Sequence, residues 1–451
     1  MSAATGPRGR GLSPVTWFVV LLCWATVIFD GYDVVVYGAV VPALLEYQEW
    51  GLTPVRVGIL QSYTLIGMFI GSILVGTVTD VVGRRRMLIG CIAWFSIAMG
   101  LVAIAPTPEL FGLFRFIAGL GLGGVLPVAT ALTTEYSPPR YRNIIYAFMF
   151  TGFPIGGILA AFLGIFLIPA FGFRIMFFLG LLPLVLIVPL AVMRLPESIA
   201  FLLASGRRAE AEAIASRYGI SLESDQVRTA ETAEESTSAG RFSSLSSLFS
   251  GNYVVATLLF WITSFLGLFM IYGLNTWLPE IMRTAGYSLG SALSFLLVLN
   301  VGGIIGTLLI GVAADRVGSK PTTVFTFLLA AISIALLSIE FPLVGVYLLA
   351  GLGGIGVLAT QTFINAYVSK HYPPRMGATA LGWSLGMGRL GSIAAPLVLG
   401  ALLGLQLETQ WYFYAIAIPG LLGAVLIFSM PRSPTEVAKA PSPAGRVAPP
   451  E

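Results

Sequence analysis

Apolar residues in this chain come in long unbroken runs, not in the period-2 or period-3.6 stripes that mark half-buried strands and surface helices. Runs of about 20 residues recur, each long enough to carry a helix across a hydrocarbon layer of roughly 30 Å. Glycine, proline and charge interrupt them. The result is twelve candidate spans, beginning near Val15, Pro54, Met87, Pro108, Asn143, Ile175, Tyr253, Leu289, Pro321, Pro342, Gly377 and Gln410. The predicted fold class is an all-α membrane protein of twelve transmembrane helices. One long polar stretch, rich in Ser, Glu, Ala and Arg, separates the sixth span from the seventh. It divides the chain into a six-helix half over 1–193, a linker over 194–250, a second six-helix half over 251–430 and a tail over 431–451.

Composition agrees, with 57% hydrophobic and 10% charged residues, which a soluble domain does not tolerate. The start of the chain, Arg8 and Arg10 and then apolar residues from Val15, resembles a secretory signal. The apolar run continues past Asp30 without a small-residue cleavage site, so it reads as the first span. The net charge of +4 forms no basic face, and no nucleic-acid partner is expected. The cations sort by topology instead. With the N-terminus inside, Arg56, Arg174 and Arg283 are the only ones in outside loops, and Arg115 and Arg389 lie within the membrane. A multi-pass protein of the inner (plasma) membrane with both termini cytoplasmic follows, embedded in the lipid bilayer and expected as a monomer. Cys23 and Cys91 sit in apolar runs and His371 is the single histidine, so no metal site is indicated. No nucleophile–base pair or phosphate-cradling loop is visible, and neither an enzyme nor a cofactor is expected.

The two halves repeat each other. Gly76, Asp80, Gly83 and Arg84 match Gly311, Asp315, Gly318 and, one position off, Lys320; the shift from Gly76 to Gly311 is 235 positions. The same shift carries Gly119 onto Gly354, Arg140 onto Arg375 and Gly156 onto Gly391. One register over three helices points to two pseudo-symmetric six-helix units that rock about a central site. Glycines such as Gly119, Gly121, Gly123 and Gly124 let helices approach and slide, or simply pack.

Charge inside the spans marks the chemistry. Asp30 and Asp33 lie about mid-depth in the first span at 1.5 Å per residue, and a spacing of three puts both on one helix face. An ionised carboxylate in hydrocarbon costs at least about 2.5–3.5 kcal/mol, so the pair must look into a wet or protein-lined cavity. They are the candidate proton site, with a static ion pair as the bland alternative. Arg389, mid-depth in the eleventh span, cannot shed its charge and offers a planar fork suited to a carboxylate. It is the candidate anion-binding residue, or else it neutralises Asp30 or Asp33; all three are expected around one enclosed chamber. Arg115 opens the fourth span and Glu135 closes it. Arg115 is placed to help bind the anion or relay protons and Glu135 to pair with a loop arginine, and both also admit a purely structural reading. Tyr32, Tyr37, Tyr63, Phe29 and Trp383 fall near these charges and suit the walls of a site for a flat ring, although core packing accounts for most aromatics. Asp80 with Arg84, Arg85 and Arg86, and Asp315 with Arg316 and Lys320, sit at the cytoplasmic ends of their spans, where ion pairs can latch one conformation.

Taken together, Gly76 to Arg86, its degenerate copy at 311–320, Arg115-Phe-Ile-Ala-Gly119 and Pro196-Glu197-Ser198 resemble the major facilitator superfamily over nearly the whole chain. Within it, Asp30-Gly-Tyr-Asp33, the 119–123 glycine run, Leu274-Asn-Thr-Trp-Leu-Pro279 and the segment from Gly382-Trp383 to Arg389-Leu-Gly391 are similar to the aromatic acid:proton symporters. The resemblance implies the major facilitator fold and proton-coupled import of benzoate-like or hydroxybenzoate-like anions. It implies proton coupling by Asp30 and Asp33, the substrate carboxylate on Arg389 and gating by Asp80 with its arginines. The residues themselves add Glu135 as a candidate for proton coupling, Arg115, Tyr32 and Trp383 for substrate binding, and Gly76, Gly83, Arg84, Arg86, Asp315 and Arg316 for gating. One departure stands out: Gly377 occupies the position before Ala378-Thr379 where that family has an arginine, which leaves Arg375 as a loop or latch candidate. The rival functional reading is a proton-driven exporter of small organic or drug-like molecules, against which the mid-depth arginine counts. A sensor of the same architecture without flux is a third.

Overall fold

A backbone crossing a bilayer finds no water to bond, and a helix satisfies its N–H and C=O groups within one segment. The computed structural model describes residues 14–138, 140–218, 248–249 and 253–431. The side chains of Asp80, Asn143, Val312, Ala313, Asp315, Pro374, Arg375 and Ala378 lie outside the described residues, as do the tail past 431 and most of the linker. Twelve helices are long and apolar enough to cross a membrane. In the first half they are Pro14–Glu46, Pro54–Thr79, Arg84–Ala103, Pro108–Glu135, Ile144–Phe171 and Arg174–Arg194. In the second half they are Tyr253–Thr284, Leu289–Gly311, Ser319–Leu336, Leu343–His371, Thr379–Gly404 and Thr409–Phe428. They are called spans one to twelve below.

Local chemistry sets the boundaries. Thr53 and Thr107 cap spans two and four by accepting the Arg56 and Leu110 amides at 3.4 Å, and each is followed by proline as the first helical residue. Span five is broken at Thr151 into helices Arg142–Phe150 and Gly152–Phe171. Pro154 has no N–H for the Phe150 carbonyl, and the Thr151 hydroxyl bonds the Phe148 carbonyl instead. Span six tightens to a 3-10 turn at Leu179–Leu181, where Pro183 likewise leaves the Leu179 carbonyl without its helical donor. The described part of the linker holds two short helices, Ile199–Ala204 and Arg208–Tyr218, which bury Ile199, Leu202, Ala211 and Ala215 against each other.

The repeat read from the sequence holds at the backbone. The helices that carry spans two and eight run on to Val82 and Val317, and Gly83 and Gly318, related by the same shift, cap them with φ of 98° and 99° and open the following helices. A side chain is strained at such angles. Equivalent helices also pair alike: spans one and five, two and four, three and four in one half; seven and eleven, eight and ten, nine and ten in the other. The halves meet through spans one and seven, two and eleven, and five and eight.

That meeting is concentrated toward the Glu46 end of span one. A Cβ on Gly38 would collide with the Asn275 carbonyl, and one on Gly58 with the Pro396 carbonyl. The Ser62 hydroxyl donates to the Ile393 carbonyl at 3.0 Å, Gly164 faces Leu293, and Arg283 forms an ion pair with Glu46. Backbone contact this close packs the described parts of the two halves tightly on that side.

Candidate functional site

Two buried carboxylates three residues apart have different surroundings. A Cβ on Gly31 would strike the Phe153 carbonyl, and one on Gly156 the Ile28 carbonyl, so spans one and five touch backbone to backbone at this depth. That contact fixes the rotation of span one and turns Asp30 and Asp33 inward. Asp30 is 0% exposed and Asp33 1%.

Asp33 is held within its own half. Arg115 Nη1 donates to Asp33 Oδ1 at 2.6 Å, and Nη2 reaches Gln61 Oε1 at 3.3 Å and the Asp33 carbonyl at 3.4 Å. The guanidinium lies 5.5 Å from the Tyr37 ring centre and 5.8 Å from that of Phe177. Tyr37 is itself tied by its hydroxyl to the Val57 carbonyl at 2.7 Å. Spans one, two, four and six thus converge on one neutral, aromatic-walled ion pair.

Asp30 has no such partner. Neither of its oxygens has a hydrogen-bond partner among the described residues. The cation that acts on it is Arg389, from span eleven of the other half. Arg389 is only half-buried, and its one described side-chain hydrogen bond is long, from Nη1 to the Tyr272 hydroxyl at 3.4 Å. Tyr272, on span seven, lies within electrostatic reach of both Arg389 and Asp30. Gly388 and Gly391 press span eleven onto the Ser264 and Phe265 carbonyls of span seven, which holds Arg389 beside Tyr272. Asp30 and Arg389, from opposite halves, are therefore within electrostatic reach of each other, with no described hydrogen bond or ion pair between them. A titrating acid and a permanent cation so placed can exchange partners: an anion can take Arg389 when a proton has taken Asp30.

Other residues singled out in the sequence fall elsewhere. Tyr32 is buried with its hydroxyl donated to the Met176 carbonyl at 2.7 Å, a tie between spans one and six. Trp383 is 43% exposed and stacks on Trp261 at 5.7 Å. Tyr63 is 40% exposed. Glu135 is far along span four from Arg115. Arg84 Nη1 donates to its Oε2 at 2.8 Å, as does the Ser198 hydroxyl at 2.6 Å, and the Ala200 amide donates to Oε1 at 2.9 Å. It joins spans three and four to the linker and is not brought together with Asp30 and Asp33. Gly83 is buried against Glu197 and Phe201, Gly76 is open, and Arg86 and Arg316 are exposed. The Asp80, Asp315 and Arg375 side chains fall outside the described residues.

Charge-based reading passes over several uncharged polar residues. Tyr272 is one, and Gln61, Asn275, Asn300 and Gln361 are buried amides inside spans. Asn300 Nδ2 donates to Asn275 Oδ1 at 3.2 Å and Gln361 Nε2 to Asn365 Oδ1 at 3.0 Å, while Asn300 Oδ1, Gln361 Oε1 and Gln61 Nε2 find no partner among the described residues. The available signal is a lone amide inside an apolar run, because an unpaired one in hydrocarbon costs several kcal/mol.

Comparison with known proteins bears on this arrangement. The family model described as Major Facilitator Superfamily matches residues 23–396 and 298–450. The chain is 38% identical over 424 residues to the benzoate transport protein of Acinetobacter baylyi, covering 92% of this chain and 90% of that one. It is 36% identical to the gentisate transporter of Corynebacterium glutamicum, covering 94% and 88%. Among solved structures, the inward-open xylose transporter XylE from E. coli superposes with a TM-score of 0.75 at 18% identity, over 92% of this chain and 96% of that one.

Proposed function

The chain belongs to the major facilitator superfamily of membrane transporters, and we propose that it is a symporter carrying one aromatic carboxylate inward with one proton by alternating access. The observation that supports this most is Asp30, sealed from solvent with both oxygens unpartnered and opposed across the halves by Arg389. The names of the benzoate and gentisate relatives support the aromatic acid as cargo.

Coupling follows from charge neutrality in a low-dielectric chamber. The empty carrier is neutral with ionised Asp30 facing Arg389. The loaded carrier is neutral with Asp30 protonated and Arg389 holding the substrate carboxylate. A carrier with proton alone or anion alone bears a net charge, which membrane depth disfavours by a few kcal/mol. Only the two neutral forms rock easily. Symport of one proton with one anion also avoids about 2.3 kcal/mol per 100 mV that opposes anion uptake alone. Tyr272 can follow Arg389 as it changes partners, and the unpaired oxygens of Asn300 and Gln361 are available to ring hydroxyls.

The cation distribution supports an inner-membrane topology with both termini on the cytoplasmic side. The closely packed Glu46 side is then the outer face. On this reading the Arg84–Glu135–Ser198 cluster, with Asp80 and its counterpart Asp315, belongs to a cytoplasmic gate.

The test is accumulation of labelled benzoate, gentisate or 4-hydroxybenzoate by proteoliposomes under an inward proton gradient. Uptake that collapses when the gradient is dissipated is expected. Failure to accumulate any benzoate or hydroxybenzoate overturns the substrate class.

A further inference from the structure

Away from the membrane interior, at the Pro14 end of the first half, a cavity of about 320 Å³ opens between the start of span three, the end of span six and the linker helices. Five arginines line it: Arg85, Arg86, Arg194, Arg207 and Arg217. Arg85 and Arg86 open span three, Arg194 ends span six, and Arg207 and Arg217 belong to the linker, so the fold, not a single run of sequence, gathers this charge. Two carboxylates share the lining, and both are engaged. Glu197 Oε1 accepts the backbone amides of Arg85 at 2.8 Å and Ser198 at 3.0 Å, and Glu210 takes a two-pronged bond from Arg207 at 2.8 and 2.6 Å. None of the described ion pairs takes up Arg85, Arg86 or Arg194. Arg85 spends one nitrogen on the Val192 carbonyl at 2.6 Å, and its buried Nε has no partner among the described residues.

Arg85, Arg86 and Arg194, brought together without a carboxylate for each among the described ion pairs, repel one another unless an anion joins them. Their planar forks suit phosphate oxygens. The position points to the source of that phosphate. Arg194 ends span six directly after Val192 and Met193, which are 51% and 76% exposed apolar side chains on a membrane-spanning helix. The cavity wall continues this apolar surface through Met193, Leu195 and Pro196. A charged recess that opens beside lipid-facing side chains at a helix end lies at headgroup depth, where acyl chains run down the apolar side and the phosphate meets the arginines.

We propose that this cleft binds the phosphate of an anionic membrane lipid, held chiefly by Arg85, Arg86 and Arg194. The inference is independent of the substrate assigned above. The lipid anchors the linker helices to spans three and six, on the same side as the Arg84–Glu135–Ser198 cluster.

Native mass spectrometry of the full chain, titrated with phosphatidylglycerol and with phosphatidylcholine, tests it. The expected result is a clear preference for phosphatidylglycerol that falls by about fivefold for Arg194→Gln and about 25-fold for Arg86→Gln/Arg194→Gln. Lysine at both positions is expected to retain most of the preference, and unchanged melting temperatures establish that the variants are folded. Equal binding of the two lipids, or a preference unaltered in the folded double variant, overturns the proposal. Displacement of bound phosphatidylglycerol by millimolar inorganic phosphate would assign the cleft to a soluble phosphate and overturn the lipid source.

Discussion

Asp30 and Asp33 share a helix, a depth and nearly complete burial, yet one is bonded and the other is not. Asp33 has a fully buried guanidinium 2.6 Å away, inside its own half, beneath aromatic rings. Asp30 has no bonded partner and faces a cation that belongs to the other half. A buried pair confined to one rigid body travels with it unchanged, so it contributes to structure. A charge whose counter-ion sits on the opposite body feels every rearrangement between them, so it can do coupling. The difference teaches that burial alone does not distinguish the two carboxylates, whereas the location of the partner does, and the proposed coupling role of Asp30 rests on that location.

Four substitutions break or sharpen this contrast. Asp30→Asn is expected to reduce gradient-driven accumulation to the level of empty vesicles while substrate exchange across equal gradients persists; the two assays run on the same proteoliposomes check it. Asp33→Asn acts on the fold instead. It strands Arg115 in the interior, with an expected loss of about 3–5 kcal/mol read as a lowered melting temperature and yield, and adding Arg115→Gln is expected to recover much of it. Arg389→Gln removes one charge-assisted contact to the anion and is expected to weaken binding by roughly 10- to 150-fold, measured by calorimetry on a folded protein of unchanged melting temperature. The smallest effect is expected at the seal. Glu46→Gln breaks a partly exposed pair with Arg283 worth about 0.2–1 kcal/mol, shifting the balance between the two facing states at most about fivefold, which labelling of a cysteine placed at the outer face reads.

The spans were legible because bilayer thickness writes itself into the lengths of apolar runs. Even so, the Thr151 break in span five and the tight turn in span six need the particular prolines Pro154 and Pro183 to be read as missing donors. The halves were legible from one shift that maps Gly76 onto Gly311, and Gly83 and Gly318 show why: a positive φ leaves glycine little competition. Charges inside spans drew notice to Asp30, Asp33, Arg115 and Arg389, but a helical spacing of three does not say which arginine meets which aspartate. That assignment belongs to tertiary packing, and it divided a pair the sequence presents as equivalent. Tyr272 and Gln361 carry no charge and so gave no signal of comparable strength. Glu135 stood out as a charge, yet only the folded linker supplies the Ser198 hydroxyl and Ala200 amide that engage it.

The central claim is that the travelling proton rides on Asp30 and not on Asp33. Acidification of the vesicle lumen during uptake, followed with a trapped pH dye, tests it most directly in two proteins: Asp30→Asn, and the charge-balanced pair Asp33→Asn/Arg115→Gln. The account predicts that substrate exchange survives in both, with lumen acidification lost in the first and retained in the second. Acidification that persists in Asp30→Asn, or that disappears only in the paired variant, would contradict it.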